Sequence, residues 1–359
     1  MSLSDGQNAN FVVGQANFTS SGYGSSATSL SGPAGHPVQV GPWALQADRN
    51  NARLLAFAAE PQANGPAAAF VIGQATLTTS QYLAADSNTL TGPAYLAAEG
   101  NVWAVSDQSS NRVLIYNEPP QAANGFVSAD IVVGQDGDFT GSNSNCGPNS
   151  LNRPSGVSLA GGRLIVADTG NSRVLIWNHR PSRSKRAPSP PDITLGQHNM
   201  ASCEQPAHVS AGSFSSPVGV WSDGVRLVVS DQQDNRVLIW NHMPRFNQQA
   251  ADVILGQSAV DVTDAAVSQT GLNSPLDVTS NGTQLFVADQ YGARVLVWHS
   301  FPSVWGAPAD VVLGQANFTA NNPTTSASQM SYPFGVGIVA ERLWVTDGNN
   351  HRMLIFVSQ

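Results

Sequence analysis

The sequence predicts an all-β fold, a six-bladed β-propeller of four-stranded antiparallel blades, closed by an N-terminal strand that joins the C-terminal blade. Three observations carry this expectation. A Gly-Gln dipeptide behind a short apolar run returns six times, a Pro, an Asp and an Arg follow one another at nearly fixed intervals, and the two ends of the chain hold complementary parts of one unit.

The dipeptides are Gly14-Gln15, Gly73-Gln74, Gly134-Gln135, Gly196-Gln197, Gly256-Gln257 and Gly314-Gln315, spaced by 59, 61, 62, 60 and 58 residues. A fixed period of this size signals an array of supersecondary units. It overrides the expectation of two or three domains that a length of 359 residues would raise on its own. A single domain over 1–359 is expected, with blades at approximately 30–75, 90–135, 151–197, 214–257, 272–315 and 330–357 plus 11–15.

Within each unit a Pro opens strand A, at Pro33, Pro93, Pro154, Pro217, Pro275 and Pro333. An Asp follows after 15, 14, 14, 14, 14 and 14 residues, an interval that holds strand A, a tight turn and strand B. Gly161-Gly162, Asp223-Gly224 and Asn281-Gly282 provide the hairpin chemistry of that turn, being residues that accept positive φ. Five positions after each Asp stands an Arg, giving Asp48 and Arg53, Asp107 and Arg112, Asp168 and Arg173, Asp231 and Arg236, Asp289 and Arg294, and Asp347 and Arg352. Strand C starts at the Arg, as in RVLIWN, and strand D ends at Gly-Gln. No useful helical period interrupts the pattern. Radial repetition hides sheet edges that a free blade would expose.

Residues 11–15 supply a strand D with no A, B or C before it, and the chain stops after a strand C at Met353 to Phe356. The first strand is therefore expected to complete the last blade.

The segment LNRPSGVSLAGGRLIVADTGNSRVLIWN at 151–178 resembles the NHL repeat, with its P-x-G-V and V-A-D-x-x-N-x-R-V pattern, and the likeness runs over essentially the whole chain. The resemblance implies a propeller and names no activity, because such propellers host enzymes, ligand binders and scaffolds alike. The unit is longer than a typical NHL repeat, with extra residues between Gly-Gln and the next Pro and between strands C and D. Added loop length is where function is usually placed.

Charged residues make up 11% of the chain and the net charge is −8, which argues against a nucleic-acid backbone or anionic lipid as the main partner. No membrane span is expected, since no run of about 18 apolar residues exists. The opening MSLSDGQNAN has neither a basic nor an apolar leader region, so the chain is read as cytosolic or as having lost a leader. A surface built on Ser, Thr, Asn, Gln and Gly favours an extracellular or periplasmic setting, as in secreted bacterial proteins.

Features that recur in every blade are read as structural. The Asp is expected to accept turn N–H groups while the Arg pairs with it or with a neighbouring blade. The aromatic ending strand C, namely Phe57, Tyr116, Trp177, Trp240, Trp298 or Phe356, is expected to pack between blades. In Gly-Gln, the Gly gives a tight exit from strand D and the Gln amide bonds nearby backbone.

Function is sought where the repeats disagree. The B–C turns and D–A loops share one face, and residues just after each Pro surround the channel mouth there. Two places beyond the Pro stand Gly35, Tyr95, Gly156, Gly219, Asp277 and Gly335, and four glycines are expected to keep the mouth open. Tyr95 and Asp277, with His36 and Phe334 one position away, form the candidate ligand site. The competing reading is channel filling, with Asp277 bound to water or backbone.

His179, His242 and His299 lie after strand C on the opposite face and read as solvated. His198, Met200, Cys203 and His208 collect soft and imidazole ligands within eleven residues and loosely resemble a copper loop. The competing use of Cys203 is a disulfide with Cys146, since both lie in D–A loops of successive blades; such a bond would fit export. The basic cluster from Arg180 to Arg186 reads as a solvated loop, with no interleaved aromatics for nucleic acid.

The expected function is a monomeric, non-catalytic ligand-binding or protein-interaction propeller. It would hold a small polar ligand, a glycan or peptide, or a protein partner, at the channel mouth and the D–A loop face, with no cofactor. The alternative is a metal-dependent hydrolase or lyase with a divalent cation in the channel, and a weaker one is a structural protein that scaffolds an assembly.

Overall fold

Alternating apolar runs between turn residues pair into hairpins, and each hairpin pair becomes one sheet. The computed structural model describes residues 1–121, 125–182 and 188–359, and among these it holds twenty-four strands in six four-stranded antiparallel sheets. In blade one, strands A to D are Pro33–Val40, Trp43–Asp48, Arg53–Ala58 and Phe70–Ile72. The other inner strands are Pro93–Glu99, Val157–Ala160, Pro217–Ser222, Pro275–Ser280 and Pro333–Val339.

The first strand, Phe11–Val13, pairs with Arg352–Phe356, placing Phe11 opposite Ile355 and Val13 opposite Met353. Val12 and Val13 are fully buried, each contributing about 1.5–3 kcal/mol by leaving water. Asn10 Oδ1 adds a clasp by accepting from the Val357 N–H at 2.9 Å.

Apolar clusters bridge successive blades rather than filling one sheet. Val345 and Leu354 of blade six, for example, share a cluster with Phe286 and Val295 of blade five. The strand C aromatics are buried here, with Tyr116 stacked on Trp103 at 3.8 Å. Strand A breaks its pairing by a bulge just after the Pro in five blades, as between Pro275 and Asp277, so strict alternation is lost where the strand enters the channel mouth.

Each ladder pair is buried, with Arg53 Nε 2.7 Å from Asp48 Oδ2. The amides bound by the Asp differ from the expectation. They belong to the D–A loop ahead of the Pro, not to the B–C turn: Asp168 Oδ1 accepts from Asn152 N–H at 2.7 Å and Asp347 Oδ1 from Ser331 N–H at 2.7 Å. The turn contributes a side chain instead, as where Asn171 Nδ2 donates to Asp168 Oδ2 at 2.8 Å.

The Arg reaches further than its Asp. Arg112 donates to the Thr89 carbonyl of its own D–A loop and to the Phe139 carbonyl of the next loop. Arg352 repeats this across the chain ends, bonding Ser326 and Gln329 on one side and Phe18 on the other. In Gly-Gln, every Gly has positive φ and every Gln amide ties its loop to the turn, as Gln74 does to the carbonyls of Ala52 and Gln81. Cys146 and Cys203 form a disulfide that joins the D–A loops before blades three and four.

Candidate functional site

The glycines two places beyond the Pro act oppositely to the expectation. A Cβ at Gly35, Gly156 or Gly335 would lie 2.5, 2.3 or 2.0 Å from a carbonyl oxygen on the next blade's inner strand, and one at Gly219 would lie 2.7 Å from the Asp277 Cα. They let neighbouring inner strands approach, and so narrow the channel rather than keep it open.

The two exceptions fill the space that remains. Tyr95 crosses from blade two to blade five, its hydroxyl 3.4 Å from the Leu276 carbonyl. Asp277 is wholly buried; its Oδ2 accepts from the Val336 N–H at 2.9 Å and from His36 Nδ1 at 2.8 Å, while Oδ1 has no partner. The imidazole stands edge-on to the Tyr95 ring at 6.2 Å.

Burial disfavours the His36 cation, but the charge and hydrogen bond of Asp277 outweigh it and leave the pKa above its ordinary value. Burial first, and the Asp277 charge second, push the Tyr95 hydroxyl well above the usual phenol range.

This plug divides the channel. Tyr95 and Phe334 line a cavity of about 490 Å³ at the face of B–C turns and D–A loops. His36 lines a smaller one, about 260 Å³, at the other end among the later residues of the inner strands. Asp277 lines neither. The four predicted site residues are thus distributed over a mouth, a plug and a rear cavity.

The mouth cavity owes most of its chemistry to residues that the sequence reading passed over. The position directly after each ladder Asp reads Arg49, Gln108, Thr169, Gln232, Gln290 and Gly348, and the first five line the cavity. The signal was present, since these positions disagree among blades beside an Asp that never varies. Arg153, next to Pro154, also lines the cavity. Arg49 donates to Gln108 Oε1 at 2.5 Å, and Thr169 donates to the Pro217 carbonyl at 2.6 Å. Among the described residues no carboxylate lines this cavity.

Among the described residues no three His, Cys, Asp or Glu side chains gather as metal ligands. The channel's candidate ligands, His36 and Asp277, are bonded to each other. In the soft cluster Cys203 is held in the disulfide, and Met200 packs against a core cluster. Of the basic cluster, Arg180 pairs with Glu99 at 3.0 Å, while Arg183, Lys185 and Arg186 lie outside the described residues. Among the described residues no helix is long and apolar enough to cross a membrane.

Residues 151–177 match the model of the NHL repeat. Among solved structures, the chain is similar to one in the crystal structure of the mitotic checkpoint complex, at 11% identity and a TM-score of 0.46, over 98% of this chain and 92% of that one. It is also similar to one in the crystal structure of the nidogen/laminin complex, at 14% identity and a TM-score of 0.41, over 80% of this chain and 84% of that one. No curated protein matches the chain. The Pro, the Asp and the Arg of blade three recur at nearly the same spacing in the other five, and six four-stranded sheets closed in a ring make this chain a six-bladed β-propeller whose third blade matches the NHL repeat.

Proposed function

We propose that the chain is a non-catalytic binding propeller that holds a polar ligand in the mouth cavity and against the surrounding D–A loops. One observation supports this reading above others. The cavity is lined by amides, hydroxyls and guanidinium groups at positions where the repeats differ, while the residues that recur are engaged in holding the ring together. A space of about 490 Å³ with convergent polar groups is of the size that takes a small ligand or one end of a larger one.

Titration calorimetry against a panel of oligosaccharides and peptides tests the assignment. Gln232→Ala and Gln290→Ala each remove a mouth amide and are expected to weaken the bound member by about 1 kcal/mol. Ser158→Ala, in the rear cavity, is expected to leave it unchanged. The reverse pattern would move binding to the rear face.

A further inference from the structure

Nine arginines among the described residues are paired with carboxylates, six of them in the blade ladder. Arg49 and Arg153 are not among them. The Arg49 side chain donates to the neutral amide of Gln108, and Arg153 is exposed, with only its backbone N–H fixed, to Asn111 Oδ1 at 2.7 Å.

The fold does not ask for an arginine at either place. In the other blades the residue before the Pro is Gly32, Gly92, Ser216, Ser274 or Tyr332, mostly small. At Arg153 the backbone takes φ 49°, a conformation that large side chains adopt reluctantly, and four of its counterparts fill the same place without a charge or a ring. The residue after the Asp is neutral in every blade but the first.

We propose that the mouth ligand carries an oxyanion bound between Arg49 and Arg153, and that it is an acidic saccharide. The proposal rests on the mouth being the binding site. With no carboxylate in the described lining, the two guanidinium groups are a local excess of positive charge on a chain of net charge −8. Burial lowers the Arg49 pKa first and the charge of Arg153 lowers it further, against the opposing effect of Tyr95 and Tyr82, in keeping with two cations that line one cavity. Guanidinium groups hold carboxylate and sulfate oxygens through paired N–H donors.

The surroundings suit a sugar. Glutamine amides donate and accept at once, as a ring of hydroxyls requires. Beside Arg49, Tyr82 is 70% exposed while its hydroxyl is fixed to the Asn50 carbonyl at 2.8 Å. Tyr291, 49% exposed, is braced edge-on by Tyr332 at 5.5 Å on the same face. Exposed, anchored rings present flat apolar surface to the C–H faces of a saccharide.

The test measures binding of trigalacturonate, a sulfated trisaccharide, a neutral trisaccharide and an acidic hexapeptide to the full chain and to Arg49→Gln, Arg153→Gln and Gln232→Ala. Thermal melts confirm that each variant is folded; Arg153→Gln, on an exposed side chain, is expected to melt with the parent. The expected result is binding of one or both acidic saccharides, weakened roughly tenfold or more by either arginine variant and weakened by salt. The two acidic arms tell carboxylate from sulfate. Equal binding of the neutral sugar, unaffected by the arginine variants but weakened by Gln232→Ala, overturns the oxyanion and leaves the mouth reading standing. Arginine-dependent binding of the peptide alone overturns the saccharide, as does failure of both acidic sugars to bind. Binding that no mouth variant alters overturns the mouth reading itself.

Discussion

Blade four contains a ladder pair that differs from its counterparts, and a single substitution should repair it. Three residues after Asp48, Asp168 and Asp347 stand Asn51, Asn171 and Asn350, and each donates Nδ2 to the ladder carboxylate at 2.8 Å. Blade four has Asp234 instead. Asp231 and Asp234 both lie 3.1 Å from Arg236 Nη2, Asp234 Oδ2 is not aligned for a hydrogen bond, and the Asp231 contact is longer than the 2.7 Å of Asp168 with Arg173. Burial, and next the Asp234 charge, push Asp231 up to about 7 against the pull of Arg236.

Asp234→Asn exchanges a like-charge contact for a hydrogen bond to a charged acceptor, worth about 2 kcal/mol. With an unfolding entropy of about 2.1 cal/mol/K per residue over 359 residues, Tm should rise by about 3 °C at pH 8. The sign of the pH dependence follows from the raised folded-state value. The stability contributed by protonated Asp231 is fully present below the ordinary 3.8 and is lost as pH rises through about 7. The variant removes the repulsion and lowers the folded-state value, so its advantage is largest at pH 8 and shrinks toward pH 5. Thermal unfolding followed by tryptophan fluorescence at both pH values measures this. A variant no more stable than the parent at pH 8, or a gain independent of pH, would refute the reasoning.

Two further outcomes are expected. Gly335→Ala places a Cβ 2.0 Å from the Gly35 carbonyl oxygen, so the inner strands of blades six and one must part, at a cost of about 3 kcal/mol in denaturant unfolding; Gly22→Ala, with open space around it, is the neutral control. Asp277→Asn removes the charge that holds His36 above its ordinary value, leaving burial to depress it, so the NMR titration of His36 should shift from above 6.5 to below it. In the parent, the contribution of this pair is complete below 6.5 and lost as pH rises through the folded value; an unmoved titration in the variant would remove Asp277 as the cause.

The ring was legible because every part of it is written six times, and chance does not hold an Asp and an Arg five residues apart in every unit. The ladder pairs, the positive-φ exit glycines and the closing strand all followed from that recurrence. The glycines of the inner strand were misread because sequence shows where a Cβ is missing but not what stands opposite the gap. Tyr95, Asp277 and His36 were found by the same disagreement among repeats, yet their separation into mouth, plug and rear cavity depends on bulges after the Pro that no residue pattern announces. Arg49 and its neighbours were within reach of that reasoning, applied one residue beyond the Asp.

The double reach of each ladder arginine has a consequence for how this face can change. The guanidinium groups grip main-chain oxygens of two consecutive loops, so the six together form a girdle around the aperture, the last link passing through Phe18. A girdle fastened to peptide oxygens is indifferent to what those residues carry outward. Outward-facing loop side chains can be exchanged while the aperture keeps its diameter, whereas the buried anchor in each loop, such as Leu90 or Phe214, cannot, so a guest at the proposed site would meet an opening already set.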